Sequence, residues 1–171
     1  MPTAARKSPT TRGYMKSTEP DLFKQTRSCG GRMTPRRAFS VGVFARQGSD
    51  ILLIFHNRLR LWLPVGGEIE ANETPLEAAL RELKEETGLV GRPVEGNPLS
   101  IPGSPPGLLG YEEHDAGPKG LHMNFDFLVD VDSREIEGDG SFARHGWYST
   151  PPPEAPPNVH RFFEIVRAWK R

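Results

Sequence analysis

Apolar positions along the chain follow two periods. From Leu121 to Asp132, Met123, Phe125, Phe127, Val129 and Val131 alternate with His122, Asn124, Asp126, Leu128 and Asp130, the period-two pattern of a strand. Residues 37–46 (RAFSVGVFAR) and 51–56 (ILLIFH) are denser apolar runs around a QGSD turn at 47–50 and predict a hairpin. Arg58 to Leu63 continues from it, and Phe142 to Ser149 predicts a further strand. Two other stretches repeat with the helical period. Thr74, Pro75, Leu76 and Glu77 form a capping-box pattern with proline in the first helical position, and Gly88 supplies a left-handed stop. Between them Leu76, Ala79, Leu80, Leu83 and Thr87 fall on one arc of about 100° that faces a core. After PPPEAPP, Asn158 is the predicted cap of a last helix with Val159, Phe162, Phe163, Val166 and Trp169 on one face. Strands, helix, strands, helix predict an α/β fold with a mixed sheet between the two helices.

The polar side of the first helix changes the picture. Glu82, Glu85 and Glu86 crowd the arc beside the buried one, where like charges one turn apart destabilise a helix by a few tenths of a kcal/mol per pair. Arg81 lies one turn from Glu77 and Glu85 and can hold a carboxylate, but it cannot balance all of them. A solvated acidic face is the ordinary explanation for three surface glutamates. The rest of the stretch argues against it. From Gly67 to Leu89 the chain satisfies G-x5-E-x7-R-E-U-x-E-E-x-G-U, U being aliphatic, at Gly67, Glu73, Arg81, Glu82, Leu83, Glu85, Glu86, Gly88 and Leu89. This stretch resembles the box of the Nudix hydrolases, complete and without substitution.

That resemblance implies a Nudix-type α/β/α sandwich and a Mg²⁺- or Mn²⁺-dependent cleavage of a diphosphate linkage. Residue by residue it assigns Glu82, Glu85 and Glu86 to the metal, with Glu82 also placed to take a proton from water, and adds the carbonyl of Gly66 as a metal contact. Gly67, Glu73, Arg81 and Gly88 become the residues that shape the box. The chemistry is coherent, since magnesium takes oxygen ligands and leaves room for substrate phosphates, and glutamates at i, i+3 and i+4 offer a carboxylate cluster from one helix. Asn72 stands where glycine is common before the first conserved glutamate, and asparagine tolerates a left-handed conformation.

Composition is consistent with one catalytic domain. The chain has 171 residues, 36% of them hydrophobic, with seventeen prolines and eighteen glycines that predict one core and long loops. A single cysteine, Cys29, excludes an intrachain disulfide and a cysteine-rich zinc site, and the five histidines show no metal-ligand spacing. No run reaches 18 apolar residues and no secretory signal pattern opens the chain, so the expectation is a cytoplasmic protein without a membrane partner. The formal charge of zero hides a split. Residues 1–37 hold nine Lys or Arg against Glu19 and Asp21, a net of plus seven, which leaves minus seven for the remainder. The expected organisation is a basic flexible tail at 1–20 and a single hydrolase domain at 21–171, with no stable nucleic-acid partner. Leu22, Phe23 and Met33 leave open an added strand at 21–33.

The substrate is less constrained. Residues 98–120 read as a glycine- and proline-rich loop of about 23 residues over the site, with Glu112 and Glu113 as candidate catalytic or metal-binding acids near its far end. Arg58 and Arg60 are candidates for holding phosphates, and Tyr111, with Phe125, for stacking on a base. The expected activity is conversion of nucleoside 5'-di- and triphosphates to the monophosphate. Dinucleoside polyphosphates, ADP-ribose and nucleotide sugars are the alternative substrates. A binding module that keeps the fold without the chemistry is the alternative of another class, and it usually costs a box glutamate, of which none is missing here.

Overall fold

The structure, a computed structural model, describes residues 36–97, 101–137 and 142–169. The basic tail, the 21–33 segment and Cys29 lie outside the described residues.

Eight strands form one mixed sheet: β1 (Arg37–Gln47), β2 (Asp50–His56), β3 (Leu61–Leu63), β4 (Val65–Glu68), β5 (Gly91–Pro93), β6 (Leu108–Asp115), β7 (Leu121–Val131) and β8 (His145–Tyr148). Its spine runs in the order β3-β2-β1-β7-β5, while β4 pairs with β1, β6 with β7 and β8 with β2. The centre is β1 beside β7, parallel and in unbroken register from Arg37↔Leu121 to Arg46↔Asp130, and the other pairings are antiparallel. Helix α1 (Pro75–Thr87) covers one face and α2 (Pro157–Ala168) the other.

Alternation along β1 and β7 sorts side chains between these layers. Val41, Val43, Ala45, Phe127 and Val129 join Ala78, Ala79 and Leu83 of α1 in one cluster, and Phe44 and Leu128 join Val159, Phe162, Phe163 and Val166 of α2 in the other. Both faces are therefore interior. Ala78 is fully buried although it was not on the predicted arc, and Leu76 and Leu80 only partly so.

Three expectations change. The segment expected to be a loop over the site instead contains β6, an antiparallel partner of β7 from Leu108 to Asp115. The long pattern ending in Phe142–Ser149 shortens to His145–Tyr148. Asn158 is not the cap of α2. Pro156 takes the N-cap position and Pro157 the first turn, whose fixed φ suits a helix start, so Asn158 lies inside the helix with its side chain free to reach elsewhere.

Candidate active site

The box helix is set by local chemistry at both ends. The Thr74 hydroxyl accepts from the Glu77 N–H, while the Glu77 carboxylate accepts from the Thr74 N–H at 2.7 Å, which holds the Glu77 carboxyl below its usual range. Gly88, at φ 72°, closes the far end by donating to the Lys84 carbonyl. Asn72 adopts φ 70°, the left-handed turn expected where glycine is common.

Arg81 organises the acids. Its Nε and Nη2 donate to the two oxygens of Glu73 at 3.0 and 2.6 Å, Nη1 donates to Glu82 Oε1 at 2.8 Å and Glu85 Oε2 at 3.1 Å, and Nη2 also reaches the Glu68 carbonyl at 3.2 Å. These bonds, Glu73 foremost, raise the pKa of the guanidinium, and the same fork, helped by the Glu70 N–H, depresses that of the Glu73 carboxyl. Glu73 and Glu82 are mostly buried and Glu85 is exposed. Arg81 thus ties the loop before the helix to the helix and to β4.

Two carboxylates converge on β4. A Cβ on Gly67 would lie 2.2 Å from Glu82 Oε1, so glycine is required there for the carboxylate to lie on the strand. One residue earlier the Gly66 N–H donates to Glu86 Oε2 at 3.3 Å. Among the described residues no three acidic, histidine or cysteine side chains close on a single point at ligating distance, because Arg81 draws on Glu82 and Glu85. The donor set nevertheless fits a hard divalent cation. It is all oxygen, it carries more negative charge than Arg81 can cancel, and Glu85 is free to turn toward solvent.

The other sequence candidates fall elsewhere. Glu112 and Glu113 are adjacent on β6, so their side chains leave opposite faces of the sheet. Glu112 accepts from Asn158 Nδ2 of α2 at 2.6 Å and lies 3.3 Å from His114 Nδ1. Glu113 accepts from the Tyr111 hydroxyl at 2.8 Å, which raises the phenol pKa. Tyr111 is half exposed and packs at 5.4 Å against Phe125, which meets exposed Phe39 at 6.1 Å, an aromatic row on the α1 side. Arg58 donates to the Ala116 carbonyl at 3.4 Å. Arg60, at φ 58°, stacks its guanidinium 5.1 Å from the Phe55 ring centre.

A second polar group was not predicted. On the α2 side, Ser40 Oγ donates to Asn124 Oδ1 at 2.8 Å and Asn124 Nδ2 donates to Asp126 Oδ1 at 3.1 Å, all three residues being buried. Asp126 Oδ2 and His122 Nε2 have no hydrogen-bond partner, although His122 Nε2 lies 3.6 Å from Glu68 Oε1. Burial, then the charge of Glu112, pushes the Asp126 carboxyl well above its usual range. The signal was present in the sequence. A strand expected to lie between two helix layers has no solvent face, so the polar half of its alternation had to be paired or functional.

Fold and box together define a class, and comparison with known proteins agrees. The sequence pattern of the NUDIX domain matches residues 34–162, and the chain belongs to that family. It is 27% identical over 111 residues to a Lactococcus lactis subsp. cremoris protein named "Probable DHNTP pyrophosphohydrolase", a match covering 63% of this chain and 62% of the relative. It is 51% identical over 47 residues to an m7GpppN-mRNA hydrolase of Xenopus laevis, covering 28% of this chain and 15% of that protein. Among solved structures, a NUDIX-family hydrolase from Clostridium perfringens superposes with a TM-score of 0.64 at 26% identity, over 79% of this chain and 99% of that one. No helix among the described residues is long and apolar enough to cross a membrane.

Proposed function

We propose that this protein cleaves the diphosphate linkage of nucleoside 5'-di- and triphosphates, releasing the monophosphate, with Mg²⁺ or Mn²⁺ as the cofactor. The observation that carries the reading is the convergence of Glu82 and Glu86 on the Gly66–Gly67 strand, with one arginine serving Glu73, Glu82 and Glu85. Glu82, Glu85, Glu86 and the Gly66 carbonyl would hold the cation. When bound, it supplies Lewis acidity, drawing charge off the phosphoryl oxygens and lowering the pKa of water.

The chain's own residues do the rest. Arg81 fixes Glu82 through Oε1, so the carboxylate on Gly67 is positioned before substrate arrives. As water attacks phosphorus, Glu82 accepts its proton, the bridging P–O bond breaks, and phosphate or pyrophosphate leaves. Glu73 keeps Arg81 from collapsing further onto the box acids, because its two oxygens occupy Nε and Nη2.

The relative named for DHNTP supports a second substrate reading, a pterin triphosphate, whose anhydride is chemically the same. The test is a screen of nucleoside di- and triphosphates, the pterin triphosphate, dinucleoside polyphosphates, ADP-ribose and nucleotide sugars, with products identified and metal varied. Hydrolysis of triphosphates to monophosphate that depends on the cation is expected. Turnover that persists in chelator, or no turnover of any anhydride, would end the assignment.

A further inference from the structure

Residues 38–171 carry a net charge of minus seven, and arginines in such a domain find acids readily. Arg36, Arg46, Arg81, Arg92, Arg134 and Arg161 each form an ion pair with a carboxylate. Arg58, Arg60 and Arg144 are exposed, and among the described residues none of them pairs with an acid. Two segments bring these three together. Arg58 and Arg60 belong to the turn between β2 and β3, while Arg144 directly precedes β8, and β2 pairs with both strands. The Phe55 N–H of β2 donates to the Arg144 carbonyl at 2.8 Å. The Arg144 guanidinium lies 3.8 Å from the centre of the Phe55 ring and that of Arg60 5.1 Å from the same point, so the two cations are no further apart than the sum of these distances. Arg144 also lies 5.3 Å from the Trp62 ring centre. Arg58 and Lys119 extend the cluster over His56, whose pKa is lowered by burial foremost and then by these charges.

Packing alone does not account for the group. Like charges this close repel, and a single cation over the ring would give the same kind of cation–π attraction without that penalty. The backbone makes the same point. Arg60 holds φ 58°, in the left-handed region that glycine or asparagine enters at less cost, yet the turn carries an arginine. Glu154 acts on Tyr148 with a sign opposite to that of Arg144, but among the described residues it forms no ion pair with the three arginines.

The missing countercharge is an anion, and the geometry narrows its kind. A guanidinium held against an aromatic ring keeps its outer face for stacking and its N–H edge for two phosphate oxygens. An acidic peptide offers carboxylates without a plane to lie on those faces. An unstacked nucleic-acid strand offers a phosphate and a base at every step. Leu59, 41% exposed in the same turn, adds an apolar contact between the charges.

We infer that the turn between β2 and β3, together with the residues entering β8, is a docking surface for single-stranded nucleic acid. Arg58, Arg60 and Arg144 take phosphates of the strand, and the ring-held guanidiniums of Arg60 and Arg144 stack on its bases. Gly66 follows Arg60 by six residues, so the strand passes within roughly 20 Å of the box without using its acids. This revises the expectation of no stable nucleic-acid partner. Net charge argues against such a partner, and the local distribution of charge argues for one.

The test is fluorescence anisotropy on the full chain with a labelled oligouridylate of about twelve nucleotides, in chelator without added metal, from about 50 to 200 mM salt. Wild-type affinity should fall steeply with salt. Arg58→Gln/Arg60→Gln/Arg144→Gln should bind about 10-fold more weakly at the lower salt, and its slope of log K against log salt should be shallower by about 2, since each lost contact to a single strand removes about 0.7. The basic N-terminal residues are the same in both proteins, so their share cancels. Arg92→Gln/Arg134→Gln/Arg161→Gln changes the net charge equally at paired arginines and should keep the wild-type slope. Arg60→Lys/Arg144→Lys keeps the charge and should retain the slope while binding several-fold more weakly, because an ammonium presents no plane to a base; it also reads the surface independently should the triple glutamine variant fail to fold. Absence of wild-type binding, an unchanged slope in the first triple variant, or an equal loss in the paired-arginine variant overturns the inference. Unchanged affinity in the lysine variant overturns the stacking, and displacement of the oligouridylate by polyglutamate of equal charge as readily as by unlabelled oligouridylate makes the surface a dock for acidic peptides instead.

Discussion

The two faces of the central sheet carry acids under opposite conditions. On the α1 side, Glu73, Glu82 and Glu85 share Arg81, and Glu85 reaches solvent. On the α2 side, Asp126 is buried without a cation and with one oxygen unpaired. The first arrangement holds the Glu73 carboxyl below its usual range through the Arg81 fork. The second favours a neutral acid and tolerates the cost of doing so. One sheet thus carries a charged cluster on one face and a buried polar chain on the other, and Gly42 of β1 lies between Asp126 of β7 and Gly66 of β4.

The largest effect should come from the charged face. Glu86→Gln removes a carboxylate from the Gly66 end of the cluster and should lower kcat roughly 10³-fold, by loss of electrostatic stabilisation where charge develops. Its fold should survive. Wild-type protein should also melt higher with Mg²⁺, since a ligand bound only by the native state stabilises it, and the variant should lose most of that shift. Near-wild-type turnover in Glu82→Gln, Glu85→Gln and Glu86→Gln alike would collapse the distinction between the faces.

Arg81→Met comes next and tests whether the α1 acids depend on their shared cation. It leaves Glu73 and Glu82, both mostly buried, without their strongest partner. Partial exposure reduces the penalty of a broken buried pair, and a loss of about 2 kcal/mol by denaturant titration is expected. With the guanidinium gone, added Mg²⁺ becomes the main countercharge, so its stabilising shift should be larger than in wild type. A smaller shift would mean that Arg81 orders the site for the metal and does not merely neutralise it.

Legibility followed the same divide. The box could be read because its determinants are local: Thr74 and Glu77 cap the helix, Gly88 stops it, and the spacing of Glu82, Glu85 and Glu86 is meaningful within one turn and a half. β6 could not, since Leu108–Asp115 becomes a strand only by pairing with β7, and the surrounding glycines and prolines obscured its alternation. Asn158 was misread for a related reason. Asparagine is a good cap, but a proline directly before it already begins the helix. The Ser40–Asn124–Asp126 chain joins β1 to β7 across 84 positions of sequence, and it appears only once the parallel register is known.

Asp126→Asn should have a moderate effect of opposite sign on stability. The native carboxyl titrates well above its usual range while the unfolded one does not, so the native state forfeits stability as pH rises past the unfolded value of about 3.8. Asparagine keeps the shape and does not ionise. The variant should melt a few degrees higher at pH 7, and the difference should vanish near about pH 2.5, where the carboxyl is protonated in both states. A lower melting point at pH 7 would show that Asp126 is charged and satisfied in the native protein, making the two faces alike.

The smallest effect should come from Glu113, and it sharpens the comparison because Glu112 is its neighbour in sequence. β6 sends the two side chains to opposite faces, Glu112 to Asn158 of α2 and Glu113 to the exposed Tyr111 hydroxyl. Neither donates to or accepts from a box glutamate among the described contacts. Glu113→Gln keeps an acceptor for Tyr111 at an exposed position, so melting temperature and kcat should both remain within experimental error of wild type. Glu112→Gln exchanges a part-buried carboxylate beside Asn158 and His114 for an amide and should lower the melting temperature by about a degree or two with kcat little changed. If Glu113→Gln instead lowers kcat while Glu112→Gln is silent, the catalytic centre extends along the α1 side as far as β6.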